Sequence, residues 1–434
     1  MIVAHFYIFA RWCILSKMTM ARQKIKRNAN FWFGKRVLVT GGDGFLAANL
    51  VQALLAEGAV VVTTIRHNRP ISTLLLLYEN GNPTLADVEH TNLLNYQEVR
   101  RLCDRHQIDT IFHLAATAIV SDAANSPMSA IENNVIPTLN LLEVARMNKI
   151  RRVIVASSDK SYGDHAFGMT EQLPYLEGYA LRGLDVYSAS KVCADMIAQA
   201  YAFQFRLPVA VTRSCNIFGP GDLNFTRLIP RTIMSLLSGQ PPVINLGNEK
   251  VLREYIYVED AVRANMLIAE RLEDYYGSDK QNIPRCGASV YGWPAFNIGS
   301  YVEKELRGNF KNCEKIKSVI DVISILNKQI KNIRPIIIEK PANFIEIPDQ
   351  YLDSSKLRAL GFQPRVSFAK GLAKSVTWYK KNFGTLEKMA HHYTNGNSEK
   401  TRGFRRDRIH VERSKAVRVR LEHVASDTEV RTRK

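Results

Sequence analysis

The spacing of one tyrosine and one lysine carries the clearest chemical signal in this sequence of 434 residues. Tyr187 and Lys191 stand in the run Tyr-Ser-Ala-Ser-Lys, and residues at i and i+4 share one face of a helix. A tyrosine ionises near pKa ~10 and is a poor base at neutral pH. A neighbouring ammonium lowers that pKa, so Tyr187 could take a hydroxyl proton while hydride leaves the same carbon. The pair therefore predicts oxidation of an alcohol by a hydride-accepting cofactor.

A glycine-rich turn indicates where that cofactor binds. The run Gly-Gly-Asp-Gly-Phe-Leu-Ala starts at Gly41, between the apolar run Val37–Thr40 and a helical pattern over Phe45–Glu57. Gly41 permits the tight turn, and Gly44 lets the backbone approach a pyrophosphate at the helix N-terminus. This strand-turn-helix context predicts dinucleotide binding, with Gly41, Gly44, Phe45 and Leu46 as contacts.

The end of the second strand bears on which dinucleotide binds. An acidic residue there would hold the ribose 2′-hydroxyl of NAD, whereas an arginine can accept the 2′-phosphate of NADP. The strand Val60–Ile65 is followed by Arg66, and no acid stands in the run up to Arg69. Taken alone, Arg66 favours NADP, although a surface arginine without a cofactor role explains it nearly as well.

Strands alternate with helices through the first half of the chain. Further apolar runs predict strands at Thr110–Leu114 and Arg152–Ala156, and apolar spacing predicts helices at Val99–His106 and, much later, Val319–Lys331. This alternation predicts an α/β fold with a doubly wound, Rossmann-type parallel sheet.

Composition divides the chain into four regions. We expect a disordered extension over 1–32, a dinucleotide-binding domain over 33–220 to which some later segments return, a smaller and mainly substrate-binding lobe over 221–385, and a basic disordered tail over 386–434. The first apolar run, Ile2 to Ala10, is too short to span a bilayer. A start at Met18 or Met20, or a weak interfacial anchor, are the alternatives for this extension.

The net charge of +18 lies mostly in the ends of the chain. Residues 1–36 carry eight Lys/Arg and no acid, and residues 396–434 carry twelve against six, which leaves 39 basic and 35 acidic residues between them. A nearly neutral body argues against a nucleic-acid partner. The six cysteines form no C-x-x-C pair, so we expect no metal site, no disulfide framework and a cytoplasmic location.

Ser158, Asp159 and Lys160 follow a predicted strand, at the edge where open α/β sheets bind ligands. With them, the chain resembles the extended short-chain dehydrogenases/reductases that act on nucleotide sugars. The resemblance covers roughly residues 33–383 and rests on motifs that occur in family order: the glycine turn, His113-Leu114-Ala115-Ala116, Asn134-Val135, Tyr187-x-x-x-Lys191, the run Asn216–Asp222 and the run Arg253–Asp260. Two departures are Pro137, where the family commonly has glycine, and Asn92, where an aspartate usually meets the adenine.

Within this family, an aspartate after the serine is typical of dehydratases, and epimerases usually carry a small residue there. Ser-Asp-Lys at 158–160, with the opening Phe31–Val37, resembles the CDP-glucose 4,6-dehydratase branch. The closing Tyr351–Leu357, with Trp378-Tyr379, is similar to sugar dehydratases in general. Asp159 could instead be a strand-end helix cap or a surface acid. A 4-epimerase, which needs no acid at 159, and a non-catalytic nucleotide-sugar sensor, which would be expected to lose Tyr187 or Lys191, are the rival interpretations.

The resemblance implies a role for each site residue. Tyr187, aided by Lys191 and Ser158, would remove the sugar O4 proton during hydride transfer from C4. Asp159, if burial keeps it protonated, would protonate the leaving C6 hydroxyl. Lys160 would be the C5 base if neutral, or would stabilise the enolate if charged. The result is a 4-keto-6-deoxy sugar.

The resemblance also implies the ligands and the assembly. It implies tightly held NAD, against the argument from Arg66, and a homodimer. Further cofactor contacts are implied for Asn92, Leu93, Leu114, Ala115 and Ala116, and nucleotide-sugar contacts for Asn216, Arg227 and Arg253. The basic tails have no family counterpart, and they could tether the protein to an acidic partner or a membrane.

Overall fold

The computed structural model describes most of the chain between residues 31 and 395. The described residues are 31–66, 72–78, 86–164, 173–276, 294–300, 316–332, 334–339, 347, 349–395, 417–419 and 430–432. The predicted extension up to residue 30 and most of the predicted basic tail lie outside them.

The described residues form fourteen strands. They are β1 (Arg36–Thr40), β2 (Val60–Ile65), β3 (Asp87–His90), β4 (Thr110–His113), β5 (Arg152–Ala156), β6 (Val209–Ser214), β7 (Asn216–Phe218), β8 (Val243–Asn245), β9 (Leu252–Tyr257), β10 (Ala295–Ile298), β11 (Ile316–Ser318), β12 (Ile336–Glu339), β13 (Val417–Val419) and β14 (Val430–Thr432).

Eleven α-helices accompany these strands in the same part of the chain. They are α1 (Phe45–Ala56), α2 (Thr73–Tyr78), α3 (Tyr96–His106), α4 (Val120–Asn125), α5 (Pro127–Met147), α6 (Val186–Phe205), α7 (Leu228–Leu237), α8 (Val258–Tyr276), α9 (Val319–Ile330), α10 (Ser355–Ala359) and α11 (Phe368–Asn395), and a 3-10 turn spans Asp159–Tyr162.

Seven parallel strands build the central sheet, in the order β10-β6-β5-β4-β1-β2-β3. Val37, Leu38 and Val39 of β1 are fully buried, as expected for a strand covered by helices on both faces. The strand order reverses between β1 and β4, where the adjacent carboxyl ends open a crevice. The predicted doubly wound Rossmann-type sheet is confirmed.

The helix ends lie close to the sequence signals that predict them. Gly44 caps α1, and Glu57, one residue beyond its end, is the C-cap. Helix α3 begins three residues before the predicted Val99, because the Asn95 side chain accepts hydrogen bonds from the first-turn amides. Lys331 caps α9 in the left-handed conformation at φ 58°.

A smaller lobe contains β7 and much of the described chain after residue 220. Its sheets are β11-β9-β7 and β13-β14-β12-β8. Helix α8 and strand β10 return to the large sheet, where α8 packs on α1, β5 and β6. The structure differs from the predicted boundary at 385, since α11 continues to Asn395 and buries Leu386. In the described part of the chain, none of the helices is long and apolar enough to cross a membrane.

Candidate active site

A cleft of about 920 Å³ lies between the carboxyl edge of the large sheet and the smaller lobe. Every site residue predicted from the sequence lines this cleft: Gly41, Gly44, Phe45, Leu46, Arg66, Asn92, Leu93, Leu114, Ala115, Ala116, Ser158, Asp159, Lys160, Tyr187, Lys191, Asn216, Arg227 and Arg253. The fold thus brings together residues from opposite ends of the sequence.

The glycine turn has the geometry that a bound pyrophosphate requires. Gly41 adopts φ +73°, and a Cβ there would lie 2.9 Å from the Cα of Ala115. Gly44 caps α1 without any side-chain hydrogen bond, so the first-turn amides of that helix face the cleft uncapped. Backbone amides and the helix dipole together favour an anion at this point. The residues present therefore fit a dinucleotide.

Thr40 and His113 fix the segment Leu114–Ala115, which packs against the glycine turn. The Thr40 hydroxyl accepts hydrogen bonds from the amides of Leu114 and Ala115, both at 3.1 Å. It also lies 2.9 Å from Nδ1 of His113, whose Nε2 lies 3.0 Å from Thr138 Oγ1 on α5. Burial lowers the pKa of His113 to about 3. A neutral imidazole therefore joins β1, β4 and α5 beneath the turn.

Arg66 and Asn92 line the end of the cleft formed by β2 and β3. Arg66 Nη1 donates to Asn133 Oδ1 of α5 at 3.0 Å. The Asn92 side chain accepts a hydrogen bond from the backbone amide of Leu94. The departure Pro137 is buried inside α5 and also lines the cleft.

Tyr187 and Lys191 both line the cleft from the first two turns of α6. Lys191 Nζ donates to the carbonyl of Ala156, and burial lowers the pKa of Lys191 to about 8. Burial also raises the pKa of the Tyr187 phenol, whereas a hydrogen bond with Ser158 and the charge of Arg227 lower it. The net rise in Tyr187 pKa is opposite to the sequence expectation, because loss of water penalises the phenolate.

A side-chain contact braces the start of α6 against α5. Asn134 Nδ2 donates to the hydroxyl of Ser190, which in turn donates to the carbonyl of Tyr187. All of Asn134, Ser190 and Lys191 are buried. The helix turn that carries the tyrosine is thereby fixed relative to the cofactor crevice.

Asp159 and Lys160 follow β5 directly. Asp159 is only 3% exposed, and its Oδ1 accepts a hydrogen bond from Ser158 Oγ at 3.2 Å. Its buried Oδ2 accepts none from the described residues, although Lys160 Nζ lies 3.5 Å away. Lys160 Nζ donates to Oε1 of Gln350. A buried carboxyl oxygen without a donor is costly, which marks Asp159 as a group that awaits a partner.

A buried network anchors the turn that carries these two residues. Tyr162 donates to Asn297 Oδ1 at 2.7 Å and accepts from Arg213 Nη1 at 2.9 Å. Arg213 also pairs with Asp195 of α6, with Nε 2.8 Å from Oδ2. The side chains of Arg213 and Asp195 are almost completely buried. The Asp159–Tyr162 turn is therefore tied to β6, α6 and β10.

The smaller lobe supplies the other wall. Asn216 Nδ2 donates to the carbonyl of Glu254 at 3.1 Å. Arg227 pairs with Asp222 at 3.1 Å, and this carboxylate raises the pKa of Arg227. Arg253 donates to the carbonyls of Leu252 and Ile347. These contacts fix two guanidinium groups and one amide in the lining of the cleft.

Three contributors to the site have no signal in the sequence. Thr40, Arg213 and Gln350 act by supporting other side chains, and their partners stand 73, 51 and 190 residues away along the chain. An isolated threonine, arginine or glutamine carries no motif, so only the fold could identify them.

Comparison with known proteins agrees with this geometry. The model of the NAD dependent epimerase/dehydratase family matches residues 37–283. The dTDP-glucose 4,6-dehydratase 1 of Escherichia coli K12 is 28% identical over 375 residues, covering 80% of this chain and 93% of that protein. DesIV, a dTDP-glucose 4,6-dehydratase of Streptomyces venezuelae solved with NAD bound, aligns with a TM-score of 0.65 at 25% identity, covering 82% of this chain and 99% of that one.

A further solved structure, MoeE5 in complex with UDP-glucose and NAD, is 26% identical, with a TM-score of 0.62 and coverage of 81% of this chain and 100% of that one. The family match spans more than half of the chain. The fold, the cleft and the family match agree with the short-chain dehydrogenase/reductase type, so the resemblance to that family is confirmed at the level of the family. The protein belongs to the NAD dependent epimerase/dehydratase family.

Proposed function

We propose that this enzyme removes water from a nucleotide-linked hexose and yields the 4-keto-6-deoxy sugar, with CDP-glucose as the substrate. The observation that carries the proposal is the Asp159 carboxyl, which is buried in the same cleft as Tyr187 and whose Oδ2 accepts no hydrogen bond from the described residues. Epimerisation at C4 has no use for such an acid, whereas loss of the C6 hydroxyl needs a proton donor at that oxygen.

NAD is the proposed cofactor. When bound, it would supply a hydride acceptor for oxidation at C4 and a hydride donor for reduction at C6. The uncapped start of α1 and the close approach of Gly41 to Ala115 support binding of its pyrophosphate. Arg66 is the observation that favours NADP, but it already donates to Asn133. Identifying the dinucleotide released by denaturing purified protein tests this choice.

Tyr187 has the role of base at O4. Its phenolate oxygen takes the O4 proton, and the hydrogen bond with Ser158 stabilises that anion. Lys191, fixed on the Ala156 carbonyl, provides a nearby cation with a pKa of about 8. These three residues would serve an epimerase equally well, so they identify the oxidation step and not the overall reaction.

Asp159 and Lys160 have the roles specific to elimination. The new 4-ketone acidifies the C5 proton, which Lys160 takes as a neutral amine. If Lys160 is instead an ammonium, it stabilises the enolate and a separate base takes the proton. Asp159 passes its proton to the C6 oxygen, and water leaves.

The nucleotide is proposed from the sequence around Asp159. The run Ser-Asp-Lys supports CDP-glucose. The relatives compared above differ in this respect, since the protein of Escherichia coli is named for dTDP-glucose and MoeE5 was solved with UDP-glucose. Arg227 and Arg253 are the proposed partners of the diphosphate, since a guanidinium fork suits phosphate oxygens. Asn216 is proposed to contact the same ligand. We also propose that the enzyme acts as a homodimer.

Incubation of the protein with CDP-, dTDP-, UDP- and GDP-glucose tests both the reaction and which nucleotide the substrate carries. We expect the alkaline absorbance of a 4-keto-6-deoxy product with one of them, most strongly with CDP-glucose. Asp159→Asn should retain C4 oxidation and lose product by about 100-fold. Interconverted C4 epimers without that chromophore would show an epimerase instead.

A further inference from the structure

The amine of Lys160 lies near two side-chain oxygens. One belongs to the neighbouring Asp159, and the other belongs to Gln350, 190 residues further along the chain. Lys160 Nζ donates to Gln350 Oε1 and lies 3.5 Å from Asp159 Oδ2. We propose that Gln350 is a positioning residue, which holds the Lys160 side chain at a fixed place beside Asp159 for its role in elimination. This inference rests on the proposed dehydration.

Gln350 is rigidly seated. Its side chain is completely buried. Its backbone amide donates to the Leu252 carbonyl at 3.1 Å, and its carbonyl accepts from the Glu254 amide at 3.2 Å. Two residues further on, the Leu352 amide donates to the buried Glu254 carboxylate at 2.9 Å. The segment is therefore fastened to β9 on both sides of Gln350, so the amide oxygen has a fixed position.

The distance between Lys160 and Asp159 shows what this oxygen does. A relaxed ion pair would close to about 2.7–2.9 Å between nitrogen and oxygen, and a lysine side chain has enough rotatable bonds to reach that distance. Lys160 Nζ instead bonds Gln350 and keeps a longer ion-pair distance of 3.5 Å to Oδ2. The position of the Lys160 side chain therefore follows Gln350 more closely than Asp159.

The other end of the amide supports the same assignment. Gln350 Nε2 is buried and has no hydrogen-bond partner in the described part of the chain. An unpaired buried donor costs about 1–3 kcal/mol. Only the carbonyl end of the amide can accept from an ammonium, so the orientation follows from Lys160. The side chain thus contributes through its oxygen alone.

Gln350→Met removes that oxygen at similar volume and is the principal test. With the nucleotide hexose that the unaltered enzyme dehydrates, we expect KM and the single-turnover rate of C4 oxidation to stay within about 2-fold, while elimination slows by about 10-fold or more. Reduced cofactor should then persist in the variant. Gln329→Met is the matched control, because Gln329 donates to Ala369 at the α9–α11 contact, outside the cleft.

A double-mutant cycle separates positioning from a general structural effect. In the Lys160→Met background, Gln350→Met should cause no further loss of elimination, because Gln350 acts through Lys160. Additive losses in the cycle, or an equal fall in oxidation and elimination, would overturn the assignment.

Gln350→Glu provides a second readout that does not depend on the folding of the methionine variant. Comparison of the unaltered enzyme with Lys160→Met identifies the limb of the pH profile of elimination that depends on Lys160. In Gln350→Glu this limb should move to higher pH, since a carboxylate raises the pKa of a neighbouring amine. An unmoved limb contradicts the role of Gln350. If the unaltered enzyme forms product and Gln350→Met eliminates water at the normal rate, only this inference is refuted. If no nucleotide hexose gives product, the proposed function is refuted as well.

Discussion

At the scale of single residues, burial opposes the charged forms of the two side chains that carry the oxidation chemistry, Tyr187 and Lys191. Burial raises the pKa of Tyr187 above the ordinary value of 10, and it lowers the pKa of Lys191 to about 8. Both shifts favour the neutral forms, so the phenolate depends on the groups that face it. Among these, Ser158 acts by a hydrogen bond and Arg227 by its charge.

Arg227→Met should therefore raise the pKa of Tyr187 further. The measurement is the phenolate absorbance of cofactor-free protein against pH, taken as the difference from the same protein carrying Tyr187→Phe. The unaltered chain should titrate above 10, and the variant should titrate higher still. Arg105→Met, which removes a surface arginine paired with Glu89, is the matched control and should not shift the midpoint. A midpoint that Arg227→Met leaves in place would show that this charge does not act on Tyr187.

The residues that could be predicted from the sequence are those with partners close in the chain. Tyr187 and Lys191 are four positions apart, and Asp159 stands next to Ser158, so local spacing reveals them. Gln350 reaches Lys160 only because β9 brings residue 350 to the end of β5. The direction of the Tyr187 pKa shift also could not be predicted from the sequence, because it depends on how deeply the folded chain buries the phenol.

At the scale of elements, His113 joins two strands and a helix below the cofactor turn. Its ring lies within 3.0 Å of Thr40 on β1 and Thr138 on α5. Burial lowers its pKa from 6.5 to about 3. Between these two values the unfolded chain binds a proton that the folded chain does not, so folding stability falls as the pH falls through this window.

His113→Gln should remove this component of acid sensitivity. From pH 6.5 towards 3, the residue contributes at most about 1.4 kcal/mol of lost stability per pH unit. The variant should be less stable at neutral pH yet lose stability less steeply on acidification, as measured by urea unfolding at a series of pH values. His90→Gln, at an exposed position on β3, is the control and should keep the original slope. Equal slopes for the unaltered chain and His113→Gln would contradict the role of His113.

The elements themselves were largely predictable. Buried parallel strands such as β1 and β5 are continuous apolar runs, and α1 and α9 have regular apolar spacing. The short strands of the smaller lobe were not assigned, because three residues are too few for a periodic pattern. The end of α11 at Asn395 was missed because its last turns are polar in composition.

At the scale of the whole molecule, the outer surface of α5 and α6 is unusually apolar for an exposed surface. On α5, Met128 is 71% exposed, Ile131 43% and Leu139 37%. On α6, Met196 is 49% exposed and Phe205 46%. Met128, Ile131 and Leu139 follow helical spacing and form one stripe. Exposed apolar side chains on one face of a helix are typical of a protein-protein interface.

We propose that this stripe is the homodimer contact, with α5 and α6 of one protomer packed against those of its partner. A two-fold arrangement uses the same surface on both copies, so one change acts twice in the interface. Ile131→Glu combined with Leu139→Glu should convert a particle of twice the chain mass into a monomer, as measured by sedimentation velocity. Leu75→Glu changes a residue of α2 that is 59% exposed, and this control should stay dimeric. A dimer that survives the double substitution would place the interface elsewhere, and a monomeric unaltered protein would refute the homodimer itself.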